Sequence, residues 1–498
     1  MAALRAVLVL FDSLNLHFLD GRLPTPNFDR LRRQSVCFSN HFVGSMPCMP
    51  ARRDIMTGRL SFLHRGWGPI EPFDNCFTHQ LREAGVHTHL ATDHYHYFEQ
   101  GGATYHTQYS SYEFFRGQEN DPWIGQVSKD LEEIGRTHHR LHLQRFAQNP
   151  KSLAYVDSRG AMADEQEMAS FRCFTAGLDF LTRNRSAENW FLQIETFDPH
   201  EPFHAPARFR ALFPNRYDGP ILEWPLYAPV RETPAEIAEL RANYSALVCY
   251  CDSLLGRLLD AFDAYNLWND TALIVTTDHG FLLGEHDWWG KGQMPIFNEI
   301  ARIPLYFHHP GLGQRAGGNC DGLTQNVDLM PTILETFAVE PPPGLHGNSL
   351  LGCITEGGQR RHALYGYWGS GINATDGRYS YFWYPQNDRE AERCQYTLMP
   401  THMDSFFSRD DLSRAELTPG FGFTDGIPVL KIPFTDLLEN PNIAGNIDAQ
   451  SALYDIVADP GQTKPCEDHR REAEFRTVIR EQIKEMEAPP ELLRRFTV

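Results

Sequence analysis

"RAVLVLFDS", residues 5–13, governs how the rest of the chain is read. Residues 5–11 make a short apolar run with β-branched valines, the pattern of a strand covered on both faces. The run stops at Asp12. Three other stretches repeat the theme. VHTHLAT (86–92) ends at Asp93-His94-Tyr95-His96, NWFLQIET (189–196) runs into FDPHEPF (197–203), and TALIVTT (271–277) ends at Asp278-His279-Gly280. Helix signals separate them. Thr25 and Pro26 suit the N-cap and first position of a helix over 25–34. Thr233-Pro234-Ala235-Glu236 reads as a capping box. After it, Ile237, Leu240, Tyr244, Leu247, Cys251, Leu254, Leu258 and Phe262 recur at helical spacing.

Strands alternating with helices predict an α/β fold with a mostly parallel sheet covered on both faces. Ligands of such sheets bind beyond the carboxyl ends of the strands. Those ends carry Asp12, His94 and His96, His200, and Asp278 with His279. A single loop aspartate or histidine is ordinarily a cap or a solvated side chain. Four strand ends carrying ligand-type residues point instead to a metal-assisted active site.

The 498 residues leave room for one large domain and a smaller one. The formal net charge of −19 argues against a nucleic-acid or anionic-membrane surface. An anionic substrate must therefore meet a local group of cations. The ten cysteines show no repeated CxxC framework, and Cys249 and Cys251, two apart on a helix, make a poor metal pair. That usage fits a reducing compartment. The apolar run near the N-terminus is too short for a signal peptide or a membrane span. These features predict a soluble, cytoplasmic protein.

MPCMPARRD (46–54) is unusual. Two prolines bracket Cys48, which reads alone as a turn, and Arg52 and Arg53 would lower the pKa of a nearby thiol. Asp54 reads as the partner of a neighbouring arginine. His64, Arg65, His308 and His309 read as solvated loop or surface residues, and Trp67, Trp288 and Trp289 as either pocket or core. Beyond residue 340 the texture changes to a linker-like VEPPPGLHGNS, the aromatic strand-like RYSYFWYP, and SALYDIVADPG (451–461). The irregular stretch 387–450 reads as a lid or arm, or as a contact between copies in a homo-oligomer.

CMPARRDIMTG (48–58) resembles the sulfatase signature C-x-P-S-R-x-x-x-L-T-G, departing at Ala51 and Met56. TTDHGFLLGEHDWWGKG (276–292), NVDLMPTIL (326–334) and LYDIVADPGQTK (453–464) resemble later landmarks of the formylglycine-dependent sulfatases, in the same order. The resemblance implies the alkaline-phosphatase-like fold: a catalytic domain over 1–360, and over 361–498 a C-terminal α+β subdomain with a short antiparallel sheet. It implies that Cys48 is oxidised to formylglycine by a generating enzyme that reads Pro50 and Arg52 in the unfolded chain. The aldehyde hydrate then has two hydroxyls, one to attack sulfur and one whose proton loss expels sulfate.

The other roles carry over by position. Asp12, Asp278 and His279, with residue 48, would bind one divalent cation, and Arg52 would hold the developing charge on the hydrate. Lys291 would contact a non-bridging oxygen, and His200 would act as general acid. His94 and His96 fall at a position where many sulfatases carry a basic pair. One departure stands out: sulfatases usually have two aspartates after the first strand, and here Asp12 is followed by Ser13. Fewer carboxylates and one imidazole shift preference from Ca²⁺ toward Mn²⁺ or Zn²⁺. The phosphonate monoester hydrolases share the single aspartate. The sequence therefore predicts a sulfuric ester hydrolase of arylsulfatase type, with a phosphonate monoester or phosphodiester hydrolase as the second reading. A catalytically dead binder of sulfated ligands is disfavoured, since Cys48, Arg52 and Lys291 are intact.

Overall fold

A computed structural model describes residues 5–358, 360–385 and 388–497. The central sheet has eight strands: β1 (Arg5–Phe11), β2 (Val36–Phe38), β3 (His87–Thr92), β4 (Ser111–Phe114), β5 (Trp190–Thr196), β6 (Thr271–Thr277), β7 (Leu305–His308) and β8 (Asn319–Cys320). Their order is β8-β2-β7-β6-β1-β5-β3-β4. Every pairing is parallel except those of β7, which runs against β6 and β2. β1 is central and obeys the sequence pattern on both faces. Val7, Val9 and Phe11 pack under the helix Pro234–Ala264, while Ala6, Leu8 and Leu10 face Phe77, Leu81 and Ile333.

That long helix begins with the expected capping box. The helix Pro26–Gln34 differs: Thr25 makes no side-chain cap, and Asp252 of the long helix instead accepts the N–H groups of Asn27 and Phe28 at 2.9 and 2.8 Å. Residues 48–57 form a buried helix, α1 (Cys48–Thr57), where the local reading expects a turn. Pro50 is tolerated because the first-turn N–H groups of a helix have no internal partner. The long helix Pro234–Ala264 is α2.

A five-stranded sheet is built from Ser45–Met46, Ala363–Tyr367, Ile372–Thr375, Tyr379–Trp383 and Ala452–Asp455. It is antiparallel except where Ser45–Met46, just before α1, pairs in parallel with Gly366 and Tyr367. Within 387–450 lies a three-stranded antiparallel sheet (Cys394–Thr397, Glu416–Thr418, Val429–Pro433). It is bolted to the segment after α1: Tyr396 N–H donates to the His64 carbonyl, and Arg65 donates to Gln395 at 2.6 Å. His64 and Arg65 are therefore buried, against the solvated reading. His309 is likewise buried, and His308 is bonded to the carbonyls of Gln34 and Trp268. Among the described residues no helix is long and apolar enough to cross a membrane.

Two buried carboxyls meet where β3 and β5 end. Ser170 Oγ lies within reach of both Asp93 and Asp198, and Gln118 donates to Asp93 at 3.1 Å. Burial, reinforced by Asp198, pushes Asp93 well above the carboxylate range, and burial takes Asp198 up to about 7. The folded state thus keeps protons that the unfolded chain loses above about pH 4. The pair's contribution is present at low pH and is lost as pH rises through about 7. We expect Tm to fall between about pH 5 and pH 8, and Asp198→Asn to flatten that fall. An unchanged slope in the variant would refute the assignment.

Candidate active site

Strand register assembles the site. Phe11 pairs with Thr196 on β5 and with Thr277 on β6, so the next residues, Asp12, Phe197 and Asp278, emerge side by side. α1 then brings Arg52 beneath them. Its guanidinium is 1% exposed and meets three carboxylates: Asp278 at 2.6 Å, Glu195 at 2.6 Å and Asp12 at 3.0 Å. That contact with Asp12 is an ion pair and not a hydrogen bond, and among the described residues the buried Asp12 Oδ2 has no hydrogen-bond partner. Glu195 also accepts from Tyr97 at 3.0 Å and from Gln193 at 2.7 Å.

Residue 48 opens α1 and points at the same spot. Ligand atoms of Asp12, Cys48, Asp278 and His279 all lie within 4.8 Å of one another, and all four residues are buried. Nδ1–H of His279 donates to the Gly280 carbonyl at 3.0 Å, which leaves Nε2 as a lone pair 3.2 Å from Cys48 Sγ. Gly280 has no alternative, since a Cβ there would sit 1.9 Å from the Glu299 carbonyl oxygen. Two carboxylates, one of them with an orphaned buried oxygen, a neutral imidazole nitrogen and residue 48 fit one divalent cation.

Ser13 occupies left-handed backbone, φ +61°. Its N–H donates to Asp278 at 3.1 Å and its Oγ to Asp12 at 2.7 Å, while Lys291 Nζ donates to that Oγ at 3.0 Å. The hydroxyl thus orients Asp12 and Lys291 together. α2 fastens this loop from behind, Tyr244 O–H donating to the Ser13 carbonyl at 2.7 Å. Burial alone would raise Asp12, but Lys291 and Arg52 hold it well below the carboxylate range.

Cys48, Lys291, His200, His96 and Tyr227 line one cavity of about 1130 Å³. Nδ1–H of His200 donates to the Glu201 carbonyl, so Nε2 is the free ring nitrogen. Burial and Lys291 hold His200 neutral. The two histidines after β3 separate. His96 faces the cavity, whereas His94 is enclosed, stacked on Tyr97 and 3.7 Å from Asp12. Trp67 lines the cavity, while Trp289 is core and donates to Glu232 at 2.8 Å.

Several local readings are corrected. Burial and Asp12 push the Cys48 thiol well above its ordinary value, so the arginines do not activate it. Arg53 turns away to a bidentate pair with Asp74 at 2.8 and 2.9 Å. Among the described residues Asp54 forms no ion pair with an arginine, and it accepts from Ser45 and Ser61 instead. Glu195 and Tyr97 were missed altogether. The available signal was a charge inside the apolar run NWFLQIET, where a buried carboxylate demands a partner.

Such a sheet, flanked by helices and joined to a smaller antiparallel sheet, has the alkaline-phosphatase-like fold. The chain belongs to the sulfatase family, which it matches over residues 5–339. It is 26% identical over 407 residues to the multifunctional alkaline phosphatase superfamily protein PehA of Trinickia caryophylli, covering 72% of this chain and 78% of that protein. It is 23% identical to an arylsulfatase of Clostridium perfringens, over 67% and 74% of the two chains. The phosphonate monoester hydrolase of Agrobacterium radiobacter has a similar structure, with TM-score 0.65, 18% identity, and coverage of 97% of this chain and 95% of that one.

Glu195 acts through Arg52, as an outer carboxylate that orients an inner group. We expect Glu195→Gln to lower kcat about tenfold to a hundredfold, with KM much less affected and the circular dichroism spectrum unchanged. A loss confined to KM, or none, would show that Arg52 is held without it.

Proposed function

We propose that the protein hydrolyses a sulfate ester with a formylglycine made from Cys48 and one divalent cation held by Asp12, Asp278, His279 and residue 48. The observation carrying this reading is the convergence of those four residues within 4.8 Å at the floor of a cavity that also presents Lys291 and His200. The formylglycine would supply the attacking hydroxyl, and the cation would polarise it together with an ester oxygen. Lys291 binds a non-bridging oxygen and lowers the cost of bringing an anion into an acidic protein. Arg52 holds Asp12 and Asp278 against their mutual repulsion. His200 Nε2, the free nitrogen, takes up a proton as the anionic ester binds beside it and passes that proton to the leaving oxygen.

Modification by a formylglycine-generating enzyme precedes folding in this scheme, because Cys48 is 3% exposed in the folded chain. Ten free cysteines support a reducing, cytoplasmic compartment. His279 in place of a further carboxylate favours Mn²⁺ or Zn²⁺ over Ca²⁺. Ser13 supports the second reading, a phosphonate monoester or phosphodiester hydrolase with the same nucleophile, since it leaves a single aspartate after β1.

Mass spectrometry of the peptide containing residue 48, from the native host, should show the aldehyde. Full activity with unmodified thiol would overturn the mechanism. Matched aryl sulfate, phosphodiester and phosphonate esters should rank by kcat/KM with the sulfate first, and a clear lead for the phosphorus esters would select the second reading. His200→Ala should cost about a hundredfold or more on esters of poorly acidic alcohols, and far less on a nitrophenyl ester that leaves without a proton. Equal losses on both would remove His200 from the proton transfer.

A further inference from the structure

The cavity wall beyond Lys291 carries a charge pattern that sulfate binding does not explain. Its basic residues at the rim are each paired: Arg116 with Asp121 at 2.6 Å, Lys129 with Asp157, and Lys151 with Asp404 at 3.8 Å. The acids Glu99 and Glu119 have no such partner. Between them stands one imidazole, His96, 2.6 Å from Glu99 and 3.7 Å from Glu119. No lysine or arginine forms an ion pair with either, among the described residues. Nearby, Glu201 is 1% exposed, accepts from Tyr227 at 2.6 Å and keeps Oε2 without a hydrogen bond.

Glu119 is built into place. The loop RGQENDPW (116–123) is closed by Arg116 and by the Gly117 N–H, which both bind Asp121, and Gln118 reaches inward to Asp93. At its apex Glu119 adopts φ +44°, a left-handed conformation uncommon for a residue other than glycine, asparagine or aspartate. Its carboxylate accepts from Tyr95 at 3.1 Å and from Asn120 at 2.9 Å. Beside it, Trp67 meets His96 edge-on, with centroids 5.2 Å apart, and contributes an indole to the cavity wall. Burial raises the Glu119 carboxyl, a desolvation that a cation in the cavity would relieve.

We propose that Glu119, supported by Glu99 and the rings of Trp67 and Tyr95, selects esters whose leaving group carries a cationic nitrogen. The inference rests on the ester-hydrolase reading above and deepens it. The substrate is then zwitterionic, its anionic end on Lys291 and residue 48 and its cationic end against a carboxylate and aromatic faces. Neutral leaving groups gain nothing from that wall and leave its carboxylates desolvated.

The test compares para-(aminomethyl)phenyl sulfate with para-ethylphenyl sulfate, which match in shape and differ in charge. Wild-type enzyme carrying formylglycine should favour the ammonium ester by about tenfold or more in kcat/KM, a preference expressed mainly in KM. Glu119→Gln should lower that ratio by about tenfold. A wild-type ratio near unity, or one that Glu119→Gln leaves in place, would overturn the proposal, and the wild-type arm needs no variant to fold. Calorimetric binding of both esters to Cys48→Ala protein separates the two readings. Charge-selective, Glu119-dependent binding without hydrolysis by the modified wild type keeps this inference and removes the hydrolase. Hydrolysis of both esters with no charge preference does the reverse.

Discussion

Everything at this site hangs on one buried guanidinium. Arg52 is almost entirely removed from water and has a carboxylate on each of three sides. A charge in that position is strongly destabilising without partners, and the carboxylates are equally so without it. Asp12, Asp278 and Glu195 come from three different strands, so Arg52 ties the ends of β1, β6 and β5 together from below. α1 must dock with the right azimuth for this, which also aims residue 48. The local balance follows: three carboxylates against Arg52 and Lys291 leave one negative charge, and a divalent cation would make the site net positive. Only then does the floor attract an anionic ester in a chain of net charge −19.

The main sheet was legible because its strands are buried on both faces and end abruptly. β1, β3, β5 and β6 begin and end within a residue or two of the apolar runs, and an aspartate follows directly after β1, β3 and β6, whereas Phe197 follows β5. The register that makes Asp12 and Asp278 neighbours follows once those strands are parallel and adjacent. The small strands were not legible. Ser45–Met46 has two residues and exists because Gly366 and Tyr367 accept it, a contact more than 300 positions away in the chain. The same limit hid the structure within 387–450, where the pattern is irregular and the anchoring comes from His64 and Arg65.

Side chains tell a parallel story. The candidate cation-site residues Asp12, Asp278 and His279 could be read from strand ends, since chemistry restricts their types. Residues that orient them could not. Glu195 lies within a strand whose outward neighbours are unknown until the sheet is ordered, and Tyr97 reaches it across β3 and β5. His94 and His96 look equivalent in DHYH, yet a short helical turn after β3 sends one against Asp12 and the other into the cavity. Cys48 was misread locally for a related reason. Proline on both sides suggests a turn until Pro50 is seen to occupy the first turn of α1, where a missing N–H costs little.

The two ends of the cavity place opposite demands on the same electrostatics. Under the proposed reaction its floor would bind an anion, with Lys291 and a candidate cation site held together by Arg52. Its wall carries Glu99 and Glu119, whose field would repel that anion if it extended to the floor. Two features keep the regions apart. His96 stands between the two glutamates, and the Ser13 hydroxyl ties Lys291 to Asp12 rather than letting it swing toward the wall. A flexible lysine free to pair with Glu119 would neutralise both halves at once. The left-handed backbone at Glu119 and the left-handed backbone at Ser13 therefore serve one purpose: each fixes a charge where relaxation would otherwise bring opposite signs together.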